Sequence, residues 1–193
     1  MPAPGVYDYR LSGEEKSPLG TRTVSGTSTL TVDPPQGASQ HSQQKDDDGT
    51  TDQTVTITKS GLFLVDLKMH QQGFSEEFAP HSPVLLYPAT ATNGRHWSWH
   101  MMSTDGNYTL RATLTVAKSA GHAVVHGQRL RTVTLRSVLR ISGSSIKMTI
   151  HQTDVAARDG LIVREHAVGD GTAYGAAFHT DTTRVLENPR PHS

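Results

Sequence analysis

Two pairs of histidines stand four residues apart, His96/His100 and His122/His126. On a helix that spacing brings both imidazoles to one metal ion. Both pairs fall instead in segments where polar and apolar residues alternate. In a strand four residues span ~13 Å, too far for one ion with ligand bonds of ~2 Å. Neither pair is a local metal motif; a cross-strand site joining one histidine from each stays geometrically open, but ordinary histidines are the expected reading and no metal is expected. Asp46, Asp47, Asp48 and Asp52 surround a turn at Gly49. They lack the alternating ligands, the central glycine and the terminal glutamate of a calcium loop, and read as a solvated turn. There is no Gly-x-Ser-x-Gly elbow, and Ser142-Gly-Ser-Ser145 reads as a hairpin turn. The chain has no cysteine, which removes thiolate nucleophiles, disulfides and cysteine-held zinc or iron–sulfur centres. No catalytic residue is assigned and no cofactor is implied.

Two carboxylate features stand out. Glu76 and Glu77 lie in a proline-rich stretch, and Asp66 interrupts the apolar run Leu62-Phe63-Leu64-Val65-Asp66-Leu67. If Leu62 and Leu64 mark the core face, Asp66 is buried with a raised pKa. If Phe63, Val65 and Leu67 mark it, Asp66 is exposed, and this second frame is the expected one. The aromatic pattern is sharper. Both tryptophans lie two residues apart, so Trp97, Trp99 and Met101 share a strand face while His96, Ser98, His100 and Met102 share the other. With Phe74, Phe78 and Tyr87 they supply flat, rigid walls suited to a hydrophobic small molecule or a lipid. The same side chains could instead fill a solid core.

The elements that must position these residues are strands. Thr and Ser make up roughly a fifth of the chain, and the strong helix formers are sparse. Period two is plain in 107–117, where Tyr108, Leu110, Ala112, Leu114 and Val116 alternate with Thr109, Arg111, Thr113 and Thr115. It recurs with Val133, Leu135, Leu139 and Ile141, and with Ile146, Met148 and Ile150. One apolar and one polar face per strand is the pattern of an antiparallel sheet. Glycine turns then divide the chain into strands near 5–12, 22–32, 37–45, 51–59, 61–70, 94–102, 107–118, 121–130, 131–142, 144–154, 160–168 and 173–186. The expected fold is all-β: one domain spanning 1–193, an antiparallel meander of about 12 strands in a strongly curved or closed β-barrel with little helix. Residues 74–93 break the alternation and read as a long crossover or lid, and 1–4 and 188–193 as flexible ends.

Charge narrows the partners. With 18 Lys and Arg against 18 Asp and Glu, the chain lacks the basic excess of a nucleic-acid binder, and none is expected. No stretch has the ~18 apolar residues of a transmembrane helix, so no transmembrane segment is expected in this chain.

Three short stretches, Pro4-Gly5-Val6-Tyr7-Asp8-Tyr9, Trp97-Ser98-Trp99 and Gly160-Leu161-Ile162-Val163-Arg164-Glu165, resemble uncharacterised actinobacterial envelope proteins. More loosely, the many-stranded meander resembles lipoprotein-carrier half-barrels of the LolA/LppX type, which bind acyl chains or lipoproteins against a curved sheet. The chain departs from those carriers in having no segment with helical periodicity to cover the sheet. The resemblance implies a secreted or envelope-associated protein whose signal or anchor has been removed. The expected function is an extracytoplasmic module that binds a hydrophobic small molecule or lipid in a barrel cavity. Two alternatives stay open: a β-barrel cyclase or isomerase acting on an apolar natural product, and a structural or interaction domain without a cavity, using the polar faces that carry Arg111, Arg136 and Arg140.

Overall fold

The computed structural model describes residues 1–71 and 74–192. Thirteen strands follow one another: β1 (Gly5–Ser17), β2 (Gly20–Val32), β3 (Ser39–Asp46), β4 (Gly49–Thr58), β5 (Gly61–Gln71), β6 (Phe74–Phe78), β7 (Val84–Pro88), β8 (His96–Met102), β9 (Tyr108–Val125), β10 (Gln128–Gly143), β11 (Ile146–Ala157), β12 (Ile162–Ala173) and β13 (Ala176–Leu186). All pairings are antiparallel, and no helix occurs among the described residues. The sheet runs in the order β6-β5-β4-β3-β2-β1-β13-β12-β11-β10-β9-β8, with β7 also paired to β5. The first and last strands therefore meet mid-sheet. The two free edges, β6/β7 and β8, curve round toward each other and nearly close a barrel.

Alternation decides which side of each strand is buried. Tyr108, Leu110, Ala112, Leu114 and Val116 all point inward, while Arg111 and Thr113 are exposed. Two β-bulges alter the sequence-based frames. Between Thr132 and Leu135 the register of β10 against β9 shifts, so Thr132, 4% exposed, takes the buried side in place of Val133. In β5 the register against β4 slips between Thr54 and Val55, so Leu64 pairs with Val55 and Asp66 with Thr54. One extra residue flips every side chain beyond it. Leu64 is buried, Leu62, Leu67 and Met69 pack against the same core cluster, and Asp66 is half-exposed. Neither simple frame for Asp66 describes the strand.

The stretch 74–93 is not a strandless lid. It contains β6 and β7, which pair with successive parts of β5, His70 with Ser75 and Leu62 with Tyr87. Prolines 80 and 83 fall in the link between them. The ends are also held. Tyr7 donates to Ala3 O at 2.9 Å, and the tail returns to β1 through two backbone bonds between Val6 and His192. Ser193 lies outside the described residues.

Buried side chains form two clusters. One, at the end where β1 begins and β13 finishes, contains Tyr7, Tyr9, Val32, Val125, Leu161, Val163 and Leu186. The other, where β5 and β9–β11 converge, contains Val55, Leu64, Phe74, Phe78, Met101, Tyr108, Leu110 and Ile141.

Candidate functional site

The seam between β7 and β8 is the only interval of the circuit not joined by a continuous ladder among the described residues. Among the described residues, the contacts across this edge include one from β7 and two from the end of β6. The Trp97 indole N–H donates to Leu85 O at 2.8 Å, Thr104 N donates to Glu77 O at 2.8 Å, and Phe78 faces Ser103 in an isolated bridge. The aromatic residues singled out by the sequence gather along this seam. Trp97, Trp99 and Met101 face Leu114, Ala112 and Leu110 of β9 on the inner side, and Met102 on the opposite side is 57% exposed. Phe78 is fully buried, Met101 and Phe74 nearly so, and Trp97, Trp99 and Tyr87 are half-buried. Phe74 meets Tyr108 edge to face at 5.3 Å between centroids. Two polar atoms here are buried without a partner, Trp99 Nε1 and Tyr87 Oη. Such orphans are costly, because water's hydrogen bonds are lost with nothing in exchange.

A charged cluster spans β11, β12 and β13. Asp154 of β11 stands opposite Glu165 of β12, which stands opposite Arg184 of β13. Arg184 Nη2 donates to Glu165 Oε2 at 2.8 Å and its guanidinium lies 5.1 Å from the Tyr9 ring centre. Gln152 Nε2 donates to Asp154 Oδ1 at 2.9 Å and to Glu165 Oε2 at 3.2 Å. Arg184 is 7% exposed, and its Nε has no partner. Burial, and then the charge of Glu165, push the Asp154 carboxyl up to about 7, while Gln152 and Arg184 pull the other way. Burial and the nearby Asp154 raise the Tyr87 hydroxyl, and burial raises that of Tyr9, whose O–H donates to Ile162 O at 2.8 Å.

This cluster was not among the residues singled out by the sequence, although a signal for it exists. The alternation of Ile146, Met148 and Ile150, carried on without interruption, places Gln152 and Asp154 on the same inner face.

Elsewhere the candidates are ordinary. His96 and His100 are exposed on the outer face of β8, and His126 occupies a turn. Asp46 Oδ1 accepts from the backbone N–H of Asp48 and Gly49, and Asp48 pairs with Arg22 at 2.9 Å, which makes the aspartate run a surface turn. Glu77 pairs with Lys68 at 3.3 Å. Among the described residues, no group of three His, Asp or Glu side chains is placed to hold a metal ion.

No family model and no curated protein matches the chain. Among solved structures it is similar to the hypothetical lipoprotein YmcC of Escherichia coli, at 9% identity and a TM-score of 0.40, over 96% of this chain and 86% of that one. It is also similar to a candidate lipoprotein of Parabacteroides distasonis, at 9% identity and a TM-score of 0.48, over 97% and 96%. Neither likeness supports the actinobacterial resemblance.

Proposed function

We propose that the protein is a non-enzymatic binding module of the cell envelope. It takes up a hydrophobic small molecule or lipid chain at the β7/β8 seam, with Trp97, Trp99, Met101, Phe74, Phe78 and Tyr87 as walls. The observation that carries this reading is a coincidence in one place: the unladdered interval of the barrel, both tryptophans of the chain, and two orphaned polar atoms, Trp99 Nε1 and Tyr87 Oη. An apolar chain parting the seam would gain ~0.8 kcal/mol per buried methylene, roughly 8 kcal/mol for ten carbons before ordering costs, which points to micromolar or weaker affinity. Cell fractionation tests the location.

The test of binding is a titration with the lipophilic dye N-phenyl-1-naphthylamine. Saturable binding that Trp97→Ala weakens tenfold or more supports the reading. A dye response that does not saturate overturns it.

A second reading, an interaction domain working through its outer face, is favoured by one observation. Arg111 and Arg140 stand directly opposite each other, and with Lys147 they line a concavity of about 440 Å³. Like charges so placed repel. Asp170, at the edge of the concavity, is engaged by His179 at 2.8 Å, and among the described residues no carboxylate pairs with either arginine. This reading predicts salt-sensitive co-sedimentation with anionic vesicles, lost in Arg111→Ser/Arg140→Ser.

A further inference from the structure

Three hairpin turns stand side by side at one end of the sheet. Leu19 and Ala176 each lie three residues beyond the Lys16–His179 pair, which places the β1/β2 turn next to the β12/β13 turn. Ile146 pairs with Ala173, and Tyr174 N donates to Ser145 O at 2.7 Å, so the β10/β11 turn adjoins the β12/β13 turn from the other side. Their residues, Pro18-Leu19, Ser144-Ser145 and Tyr174-Gly175, carry no charge. Leu19 is 99% exposed and Tyr174 72%. A two-residue hairpin loop ordinarily takes Asn-Gly; here a tyrosine holds φ of 52° with its side chain exposed. One exposed apolar residue needs no explanation, but two large ones on adjacent turns make a patch.

Behind these turns the outer face is unbalanced in charge. Lys147 is two residues, ~7 Å, from Ser145; Thr149, ~14 Å from it, stands opposite Arg140, which stands opposite Arg111. All three cations are exposed, and among the described residues none has a carboxylate partner. The neighbouring acids are already met: Glu14 by Lys16 at 2.6 Å, Glu15 and Asp48 by Arg22 at 2.8 and 2.9 Å, Asp170 by His179 at 2.8 Å, and Asp105 of the β8/β9 turn by Ser103 and Asn107. The aspartate turn at 46–48 is set back. Thr29 pairs with Lys45, which puts that turn beside Gly26, six residues or ~20 Å along β2 from Gly20.

We infer that this end of the barrel docks on an anionic lipid membrane, with Leu19 and Tyr174 entering the interfacial layer and Lys147, Arg140 and Arg111 facing the lipid phosphates. This rests on the interaction-domain reading above and names its partner and its point of contact. Apolar and aromatic side chains ahead of a basic collar match a bilayer surface, where aromatic rings favour the headgroup level and cations are drawn to anionic lipid. An acidic protein would answer the cations, but it has no use for apolar side chains standing proud of the sheet. Each cation near an anionic surface adds roughly fivefold to binding, an effect that fades over a Debye length of about 8 Å, so Lys147 contributes most and the arginine pair is the more salt-sensitive. Burial of Leu19 adds roughly tenfold or more.

The experiment is co-sedimentation with vesicles of phosphatidylcholine alone and of phosphatidylcholine mixed with phosphatidylglycerol. The protein is expected to bind the mixed vesicles roughly tenfold more tightly, or better. Leu19→Ser/Tyr174→Asn should weaken that binding by roughly tenfold or more, while Leu19→Met/Tyr174→Phe retains it. Asparagine accepts positive φ, so the turn is kept, and an unchanged urea midpoint verifies the fold. If Leu19→Ser/Tyr174→Asn binds like the parent while Arg111→Ser/Arg140→Ser does not, the end-on contact is overturned and the interaction-domain reading stands. Equal binding to both kinds of vesicle, or binding to neither, overturns both.

Discussion

Replacing Asp154 by asparagine is expected to stabilise the fold at neutral and alkaline pH and to matter little in acid. In the native state the Asp154 carboxyl titrates near 7 rather than at its ordinary 3.8, because it is buried beside Glu165. A carboxyl whose native pKa is raised favours the protonated form. Its stabilising contribution is complete below about pH 4, is lost as pH rises toward 7, and stays lost above that. At about 1.36 kcal/mol per unit, the upper limit of that loss is roughly 4 kcal/mol. Sharing of the proton with Glu165 and the pull of Arg184 reduce it, and ~2 kcal/mol is the expected size. Asparagine cannot ionise, still accepts from Gln152, and can donate to Glu165. Urea unfolding of both proteins between pH 4.5 and pH 8 measures the difference. With an m-value of ~2 kcal/mol per molar, the midpoints should nearly coincide at pH 4.5 and separate by ~1 M at pH 8, the variant being the more stable. A variant less stable at pH 8, or a separation that does not change with pH, would refute the burial argument.

Three other perturbations address the seam and the cluster. Trp97→Phe keeps an aromatic wall but removes the N–H that meets Leu85 O; a cost of ~1 kcal/mol and faster amide exchange in 84–88 and 96–102 are expected, and unchanged exchange would count against a latch there. Phe78→Ala empties a fully buried site and should cost ~3–5 kcal/mol, lowering the melting temperature by about 10 °C. Arg184→Met should cost ~3–5 kcal/mol by leaving Glu165 unpaired, and adding Glu165→Gln should recover much of it; a double-mutant cycle with no coupling would show that the pair does not interact.

Much of the barrel is legible in its alternating strands. The five apolar residues of 108–116 face inward as period two requires, and Trp97, Trp99 and Met101 occupy one face as their spacing demands. The turns are less legible. Gly121 suggests a turn but lies within β9, which continues to a two-residue loop at His126-Gly127, with φ of 46° and 75°. His-Gly is not among the Asn-Gly, Asp-Gly and Gly-Gly pairs that mark such loops most strongly, so the signal is weak. Gly169-Asp170-Gly171 likewise lies inside β12. A Cβ on Gly171 would sit 2.4 Å from Lys147 O, so this glycine permits close strand approach rather than chain reversal. The Asp154–Glu165–Arg184 cluster is hard to see in the sequence for a different reason. Its three members come from three strands, and only the register of the sheet brings them together.

On the binding-module reading an apolar molecule enters beside Trp97 and Trp99, which are the only tryptophans in the chain. Their fluorescence therefore reports on the seam alone. Titration with a bromine-bearing alkyl alcohol such as 11-bromoundecanol, which quenches indole on contact, is the most direct measurement. Saturable quenching at one molecule per chain, competed away by decanol, is the predicted result. Quenching that rises linearly and matches that of free tryptophan would mean that the seam stays shut.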